Sequence, residues 1–312
     1  MTGPDAQARL YGEVAQEACA LVIRKYSSSF TLATRLLEKP VRRHVENIYA
    51  LVRIADEIVD GASAGCGDAP EATRGCLDGL ERETLAAVAG CYSANLIVHA
   101  FAQTARTVGI GPELIRPFFA SMRADLTQAA HTPDSFAQYV YGSAEVVGIM
   151  CVRAFLDGAD LPAARLARLD AGARRLGAAF QKVNFLRDLA EDYGTLGRSY
   201  FPGMPVQAFG EAEKAAVLDG IDADLAAAAA VIGELPPGSR SAVAAVHALF
   251  AELGRRLRRT PARELLQRRV RVPGPVKLRL AVAAWYGQQP RPSVPGRLRQ
   301  PIAQLLLQKG TR

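Results

Sequence analysis

Residues 41–60 read VRRHVENIYALVRIADEIVD, and the spacing of the apolar side chains in this stretch decides the fold class. Those side chains recur every three or four residues, at Val41, Val45, Ile48, Val52, Ala55 and Val59. This period predicts an amphipathic α-helix that buries one face. A second stripe, rotated by about 100° from the first, carries Tyr49, Arg53, Asp56 and Asp60. A helix that packs with its apolar stripe presents the second stripe along the edge of the core.

The composition of the whole chain favours the same kind of structure. The chain has 312 residues, of which 49% are hydrophobic and 22% charged, so it can bury a large core and is not disordered throughout. Ala, Leu, Arg and Glu dominate, and alternating runs of β-branched residues are nearly absent, which argues against a β-sandwich or a parallel-sheet enzyme. The Gly- and Pro-rich breaks are short. We therefore predict one all-α domain whose helices surround a common interior.

Cysteine usage and the N-terminal residues bear on the compartment. The five cysteines are odd in number and show no metal-binding spacing, so we expect free thiols rather than disulfides or a zinc site. The first residues carry acids and no apolar run, which predicts no signal peptide. Together these features predict a cytoplasmic protein.

Charge is unevenly distributed along the chain. Residues 255–279 have a net charge of +9 and residues 280–312 of +5, whereas the total is only +7, so residues 1–254 carry −7. This basic C-terminal quarter, residues 255–312, has two open interpretations: solvated arginines that balance an acidic body, or peripheral attachment to an anionic membrane surface. We expect no specific binding of nucleic acid. The apolar run near residue 306 is too short to cross a membrane.

A second acidic helix is predicted at residues 176–192. Four side chains spaced by three, four and four residues share one of its faces: Gln181, Asn184, Asp188 and Asp192. Two helices therefore each carry an aspartate pair at positions i and i+4, inside a segment of apolar period. Such pairs also occur on solvated surfaces, so two salt-bridged helices of an ordinary bundle are an alternative interpretation.

If the two aspartate pairs face each other across a cavity, the four carboxylates repel unless cations lie between them. Mg²⁺ suits such a site because it takes hard oxygen ligands and bridges carboxylates to substrate phosphates. Three arginines are placed to hold diphosphate oxygens: Arg53, Arg187 and Arg198. The pattern thus predicts removal of a diphosphate group. The carbocation that remains would be stabilised by aromatic faces, for which the candidates are Phe30, Tyr49 and Tyr141.

Four stretches carry a resemblance to one enzyme family, in the same order and with the same spacing. They are YSSSF at 26–30, NIYALVRIADEIVDG at 47–61, YVYGSAEVVG at 139–148 and QKVNFLRDLAEDYGTLGRSYFP at 181–202. They resemble the squalene/phytoene synthase family, and the basic stretch RRVRVPGPVKL at 268–278 is similar to its C-terminal region. The resemblance covers residues 17–285 and is strongest to the bacterial phytoene synthases.

The resemblance implies a single-domain isoprenoid synthase fold with helices around a central apolar cavity. That domain would occupy residues 17–285, between an N-terminal lead-in at 1–16 and a basic, Pro-rich tail at 286–312. The implied reaction is Mg²⁺-dependent head-to-head (1′-1) condensation of two allylic prenyl diphosphates, with Mn²⁺ as a substitute metal. Two geranylgeranyl diphosphates would give phytoene through a cyclopropylcarbinyl diphosphate, with release of diphosphate.

The resemblance also implies roles for individual residues. The metal ligands would be Asp56, Asp60, Asn184, Asp188 and Asp192. Diphosphate would be held by Arg53, Arg187 and Arg198. The reaction chamber would be lined by Tyr49, Tyr141 and Gln181, and a flap at the diphosphate end would contain Ser27, Ser29 and Phe30. The catalytic set is then the four aspartates with the two tyrosines.

Two positions depart from the family pattern and leave the product open. Glu145 replaces a small residue, where its carboxylate would cap a buried arginine or alter the chamber, and Phe250 stands where a tyrosine is common. One alternative is a farnesyl diphosphate donor, which would give dehydrosqualene or presqualene diphosphate. Another is alkylation of a non-prenyl acceptor by the same cation, which Glu145 would favour. A third is a non-catalytic assembly factor of the same fold. The oligomeric state is left open.

Overall fold

Helices make up every regular element that the computed structural model describes. It describes residues 4–67, 69–194, 200–204 and 209–287, except for the side chains of residues 4, 64 and 191–194. The elements in chain order are α1 (Pro4–Tyr26), α2 (Ser28–Thr34), α3 (Lys39–Asp60), α4 (Ala62–Cys66), α5 (Pro70–Ala89), α6 (Leu96–Val108), α7 (Pro112–Asp125), α8 (Pro133–Val140), a π-helical turn (Tyr141–Glu145), α9 (Val146–Leu156), α10 (Ala163–Gly194), α11 (Glu211–Ile232), α12 (Pro237–Arg259), α13 (Ala262–Leu265) and α14 (Gly274–Trp285). The all-α prediction is confirmed, with no strand in these ranges.

Local sequence explains where the helices begin and end. α6 starts after Asn95, whose side-chain oxygen accepts hydrogen bonds from the backbone N–H groups of Ile97 and Val98. The same helix ends at Gly109, whose φ of 75° lies in the left-handed region. α8 starts with a capping box between Thr132 and Ser135.

Two clusters of buried side chains build most of the core. In the first, the predicted apolar stripe of α3, including Ile48 and Ala55, packs against α6 and α7 through residues such as Phe118. In the second, Val183 and Leu186 of α10 pack against α11 and α12. The two acidic segments therefore lie on helices that are fixed by burial along much of their length.

An apolar cavity of about 300 Å³ is lined by side chains from both clusters. Its wall comes from α1, α2, α3, the π-helical turn, α9, α10, α11 and α12. Burial raises the pKa of the Cys151 thiol in this wall to about 12, so the thiol stays protonated and behaves as an apolar side chain. The predicted central cavity is thus confirmed.

Two glycines let α7 and α10 approach the π-helical turn closely. A Cβ on Gly142 would overlap the backbone carbonyl oxygen of Pro117, and one on Gly177 would lie 2.5 Å from the carbonyl oxygen of Ala144. Because backbone atoms cannot move aside as a flexible side chain does, these two positions require glycine. The contacts hold the second acidic helix against the turn that carries Ser143 and Ala144 into the cavity wall.

Replacing Gly142 by Ala is expected to lower the free energy of unfolding by about 2 kcal/mol, since overpacking against fixed backbone costs that much. The matched control is Gly220→Ala, at an exposed position of α11 where an added Cβ meets nothing within 4 Å. That control should raise stability by a few tenths of a kcal/mol, because Gly is a poor helix former. Urea unfolding measures both changes, and equal stability of the two variants would contradict the close approach.

The predicted division into lead-in, domain and tail stays a prediction. α1 runs through residues 4–26 with no break at residue 16, and it contacts α3 and α6. Of the predicted tail, only Tyr286 and Gly287 belong to the described residues.

One stretch of the described residues, Pro133–Leu156, is long and apolar enough to cross a membrane by length and composition. In its most apolar window of 18 residues, 44% is buried inside the protein. The stretch comprises α8, the π-helical turn and α9. Some of its side chains line the central cavity, and its elements contact α7 and α10.

Candidate active site

The second stripe of α3 lies at one end of the cavity. Tyr49 lines the cavity there, with its ring centroid 5.9 Å from that of Phe30 on α2. One turn further along α3, the Arg53 guanidinium donates to Asp56 Oδ2 over 2.6 Å and also to Glu57. Burial lowers the pKa of Arg53, but the carboxylates of Asp56 and Glu57 raise it by more. The net pKa is therefore raised, and the guanidinium stays charged.

The second acidic helix reaches the same end of the cavity. Gln181 and Asn184 line the cavity, and Asp188 follows one turn later on α10. Asp188 Oδ1 accepts a hydrogen bond from Arg187 Nε over 2.8 Å, and Asp188 Oδ2 accepts one from Arg269 Nη2 over 3.2 Å. Arg269 Nε lies 2.7 Å from Asp188 Oδ1 in the same ion pair. The carboxylate therefore forms ion pairs with two guanidinium groups, one from its own helix and one from the segment between α13 and α14.

The cavity extends along α10 away from these acids. The lining residues of α10 run from Leu169 to Asn184, which is about 22 Å at the helical rise of about 1.5 Å per residue. The far end is closed by apolar side chains that also form a small cluster of their own, among them Phe155, Leu235 and Val243. The polar end, with Asn184, Tyr49 and the neighbouring Asp56 and Asp188, is called the mouth below.

The predicted flap residues lie beside the mouth. Ser27 caps α2 by accepting a hydrogen bond from the backbone N–H of Phe30 over 3.1 Å. Ser29 lies in the first turn of α2 and is partly buried. Lys277 of α14 donates from Nζ to Ser28 Oγ over 3.4 Å, so a second cation from the C-terminal part of the chain reaches this edge.

Some predicted residues do not line the cavity, and others lie outside the described set. Tyr141 is not among the described residues that line the cavity; its ring instead lies 5.2 Å from the Arg174 guanidinium carbon. Asp60 is the exposed last residue of α3. The side chain of Asp192 and the whole of Arg198 lie outside the described residues.

Arg269 and Lys277 are the candidate functional residues that sequence reasoning missed. The stretch at 268–278 supported the family resemblance, but its basic residues were considered only as a source of surface charge. Arg269 lies after α13, outside any helical period that could have indicated its direction. The contact from Arg269 to Asp188 spans 81 residues of sequence, so no local pattern reveals it.

The two departures from the family pattern have structural explanations. Glu145 Oε2 accepts a hydrogen bond from Arg174 Nε over 2.7 Å, and Glu145 is not among the described cavity-lining residues. Phe250 is buried and stacks on Phe180 with ring centroids 3.8 Å apart. An arginine partner for Glu145 is observed, but Arg174 is exposed rather than buried as expected.

The residues at the mouth fit a metal that arrives with a phosphate ligand. Among the described residues, no three His, Cys, Asp or Glu side chains form a ready-made metal cage. The acids of α3 and α10, with the amide of Asn184, nevertheless supply the hard oxygen atoms that Mg²⁺ prefers. Mg²⁺ is usually held by one or two carboxylates plus substrate phosphates rather than by an all-protein cage.

A family model described as squalene/phytoene synthase matches residues 23–275. The chain belongs to the squalene/phytoene synthase family. This synthase-family chain is 30% identical over 256 residues to the 15-cis-phytoene synthase of Paracoccus sp. (strain N81106 / MBIC 01143), a match that covers 76% of this chain and 80% of that protein. It is 28% identical over 247 residues to the phytoene synthase of Pseudescherichia vulneris, covering 73% and 77%.

Solved structures share the fold of this family member. A dehydrosqualene synthase in complex with a ligand superposes with a TM-score of 0.73 at 19% identity, covering 90% of this chain and 98% of that one. The squalene synthase HpnC from Alicyclobacillus acidocaldarius superposes with a TM-score of 0.67 at 20% identity, covering 80% and 95%. The protein is therefore an enzyme of the prenyltransferase type with the all-α fold that the sequence predicted.

Proposed function

We propose that the enzyme condenses two geranylgeranyl diphosphates head to head to phytoene, with Mg²⁺ and with release of two diphosphates. The observation that carries the proposal is the apolar cavity whose mouth lies beside acids and arginines from α3, α10 and the segment after α13. An apolar cavity with charged residues at its mouth matches a substrate with a long hydrocarbon chain and a diphosphate head. The relatives at about 30% identity, which are named phytoene synthases, favour the C20 donor.

The mouth residues would bind the diphosphate head and the metal. Mg²⁺ would be held by carboxylate and amide oxygens, from Asp56, Asp60, Asn184, Asp188 and Asp192. When bound, it supplies a positive charge that stabilises the leaving diphosphate. Three arginines would exchange their hydrogen-bond acceptors when substrate binds: Arg53, Arg187 and Arg269. Their N–H groups would leave the carboxylates that they now contact and donate to diphosphate oxygens, where bidentate contacts are strong.

The cavity would protect the cation that remains. The C1–O bond of one donor breaks and its electron pair leaves with diphosphate, while the apolar wall excludes water that would quench the cation. The π-faces of Phe30 and Tyr49 lie at the mouth, where C1 would be held. Burial raises the pKa of Tyr49 although Arg53 opposes it, so its hydroxyl stays protonated near neutral pH.

Bond formation follows from the second donor. The π-electrons of its double bond attack C1 of the cation, and loss of one proton closes a cyclopropane ring. The second C–O bond then breaks, the ring opens with rearrangement, and a second proton leaves. The departed diphosphate is the proton acceptor in this scheme, which needs no histidine or serine base. Two donors thus give one hydrocarbon, two diphosphates and two protons.

Product analysis tests the proposal directly. The full chain is incubated with Mg²⁺ and either geranylgeranyl or farnesyl diphosphate, and the organic extract is analysed by mass spectrometry. The expected result is a C40 hydrocarbon with two hydrogen atoms fewer than two geranylgeranyl groups contain together. A C30 hydrocarbon from farnesyl diphosphate alone would replace phytoene by dehydrosqualene, and no hydrocarbon from either donor would overturn the condensation itself.

The alternative acceptor finds no support at the cavity. Glu145 was the residue that favoured alkylation of a non-prenyl molecule, but its carboxylate is paired with Arg174 and is not part of the described cavity wall. The chamber wall near the π-helical turn is formed instead by Ser143 and Ala144.

Narrowing the far end of the cavity should shorten the accepted donor. Val243→Phe adds a ring where Val243 closes the cavity with Leu235, so C40 product from geranylgeranyl diphosphate should fall about tenfold more than C30 product from farnesyl diphosphate. The matched control is Val217→Phe, at an equally buried valine of α11 that does not line the cavity. It should leave the ratio of the two products unchanged. An unaltered ratio in Val243→Phe would contradict the assignment of the far end.

A further inference from the structure

α14 exposes an apolar face to the surroundings of the protein. Leu278 is 55% exposed, Val282 46%, Trp285 60% and Tyr286 73%. Their spacing of four, three and one places them on one side of the helix. The opposite side, with Leu280 and Ala281, is buried against the body, where α14 contacts α12 and α2. Four adjacent large apolar side chains in water mark an interaction surface; they are called the α14 apolar face below.

The α14 apolar face adjoins the mouth of the cavity. α2, which carries Phe30 of the mouth, contacts both α1 and α14. Lys277, the neighbour of Leu278, donates to Ser28 at the first turn of α2. The end of α1 next to α2 adds an exposed Tyr26, whose ring lies 4.4 Å from the guanidinium carbon of Arg53 at the mouth.

Positively charged residues neighbour this face along the chain. Arg271 and Arg279 are exposed, and neither forms an ion pair with another described residue. Burial lowers the pKa of Arg255, and the charges of Arg259, Arg256 and Arg279 lower it further. The sequence from 280 to 312 adds five more Lys and Arg and no acid. An apolar stripe with exposed arginines before it and within its span of the chain is complementary to a bilayer that bears anionic headgroups.

We propose that the α14 apolar face docks on an anionic phospholipid bilayer, with its apolar side chains between the headgroups and its arginines on lipid phosphates. The mouth of the cavity then lies next to the membrane surface, from which a prenyl diphosphate enters and to which a hydrocarbon returns. The orientation of the mouth rests on the proposed function, whereas the docking does not. Tryptophan favours such a position because its ring is apolar and its N–H is polar.

Trp285 provides the test, because it is the only tryptophan of the chain. The full chain is mixed, without prenyl diphosphate or metal, with vesicles of phosphatidylcholine alone or with an equal part of phosphatidylglycerol. We expect a blue shift of Trp285 emission and protection from iodide with the anionic vesicles. Binding should be about tenfold stronger than to neutral vesicles, and weaker in high salt.

Two variants separate this face from other exposed apolar residues. Val282→Ser should weaken vesicle co-sedimentation at least about fivefold, since it removes apolar area from the centre of the stripe. Leu10→Ser removes a side chain that is 62% exposed near the other end of α1, and it should leave binding unchanged. Arg271→Gln combined with Arg279→Gln should abolish the preference for anionic vesicles.

Several outcomes would overturn the proposal. Trp285 emission that vesicles do not change, or equal losses in Val282→Ser and Leu10→Ser, would exclude this face as the membrane contact. Iodide protection without vesicles that grows with protein concentration would identify a second copy as the occupant, and protection independent of concentration would identify residues 288–312. Since no substrate is present, failure of docking leaves the condensation intact, and absence of a hydrocarbon product leaves the docking intact.

Discussion

Replacing Asp188 by Asn is expected to reduce kcat for hydrocarbon formation by about a thousandfold, since it removes the charge of a proposed Mg²⁺ ligand. Asp188 lies one turn beyond the cavity lining of α10 and holds Arg187 and Arg269 together. The Asn side chain keeps the shape and one acceptor oxygen but not the charge. The loss corresponds to about 4 kcal/mol of transition-state stabilisation. Steady-state kinetics with geranylgeranyl diphosphate and Mg²⁺ measures it.

Asp170→Asn is the matched control for this variant. Asp170 lies on the same helix and pairs with Arg153 through two hydrogen bonds of 2.7 and 2.8 Å, away from the mouth. Its loss should leave kcat within about threefold of the parent, because a partly exposed ion pair contributes only about 1 kcal/mol to stability. Circular dichroism should remain helical for both variants. A kcat of Asp188→Asn within tenfold of the parent would contradict the assigned role.

The second large effect is expected at Arg269, which sequence reasoning alone did not assign. Arg269→Gln should lower kcat/KM for the prenyl diphosphate about a hundredfold, because a cation is removed from the proposed diphosphate site, where it would bind two oxygens. Arg269→Lys should recover only part of the loss, since an ammonium group lacks the planar fork of guanidinium. Inhibition by inorganic diphosphate, measured in the same assay, should weaken in parallel.

Arg268→Gln is the neighbouring control. Arg268 pairs with Glu264 of α13, four residues earlier in the chain, at the surface of the protein. It makes no contact with Asp188 among the described residues. It carries the same charge as Arg269, so it reports any effect of total positive charge on substrate attraction. Its kcat/KM should stay within about twofold of the parent. Equal losses in Arg268→Gln and Arg269→Gln would show that charge alone, and not the contact to Asp188, explains the effect.

The helical periods of α3 and α10 made most of the mouth predictable. Both helices bury a regular apolar stripe, so the direction of Asp56 and of Asn184 follows from counting residues along the helix. The order of the four motif stretches was enough to indicate the family, which the match over residues 23–275 confirms. Magnesium, the donor length and the individual site roles stay proposals.

Tyr141 shows where counting residues fails. It begins a π-helical turn, whose hydrogen bonds span five residues and shift the side-chain directions from those of an α-helix. Ser143 and Ala144 consequently line the cavity, while Tyr141 lies against Arg174. The contacts Glu145–Arg174 and Arg269–Asp188 join residues 29 and 81 positions apart, which only the folded chain brings together.

Anomalous scattering from Mn²⁺ tests the central claim most directly, in crystals of the full chain grown with Mn²⁺ and an unreactive prenyl thiodiphosphate. We predict anomalous peaks between α3 and α10, with Asp56 and Asp188 as ligands and with Arg53 and Arg269 moved onto the diphosphate oxygens. Peaks elsewhere on the protein, with Asp56 still paired to Arg53 and Asp188 still paired to Arg269, would contradict it.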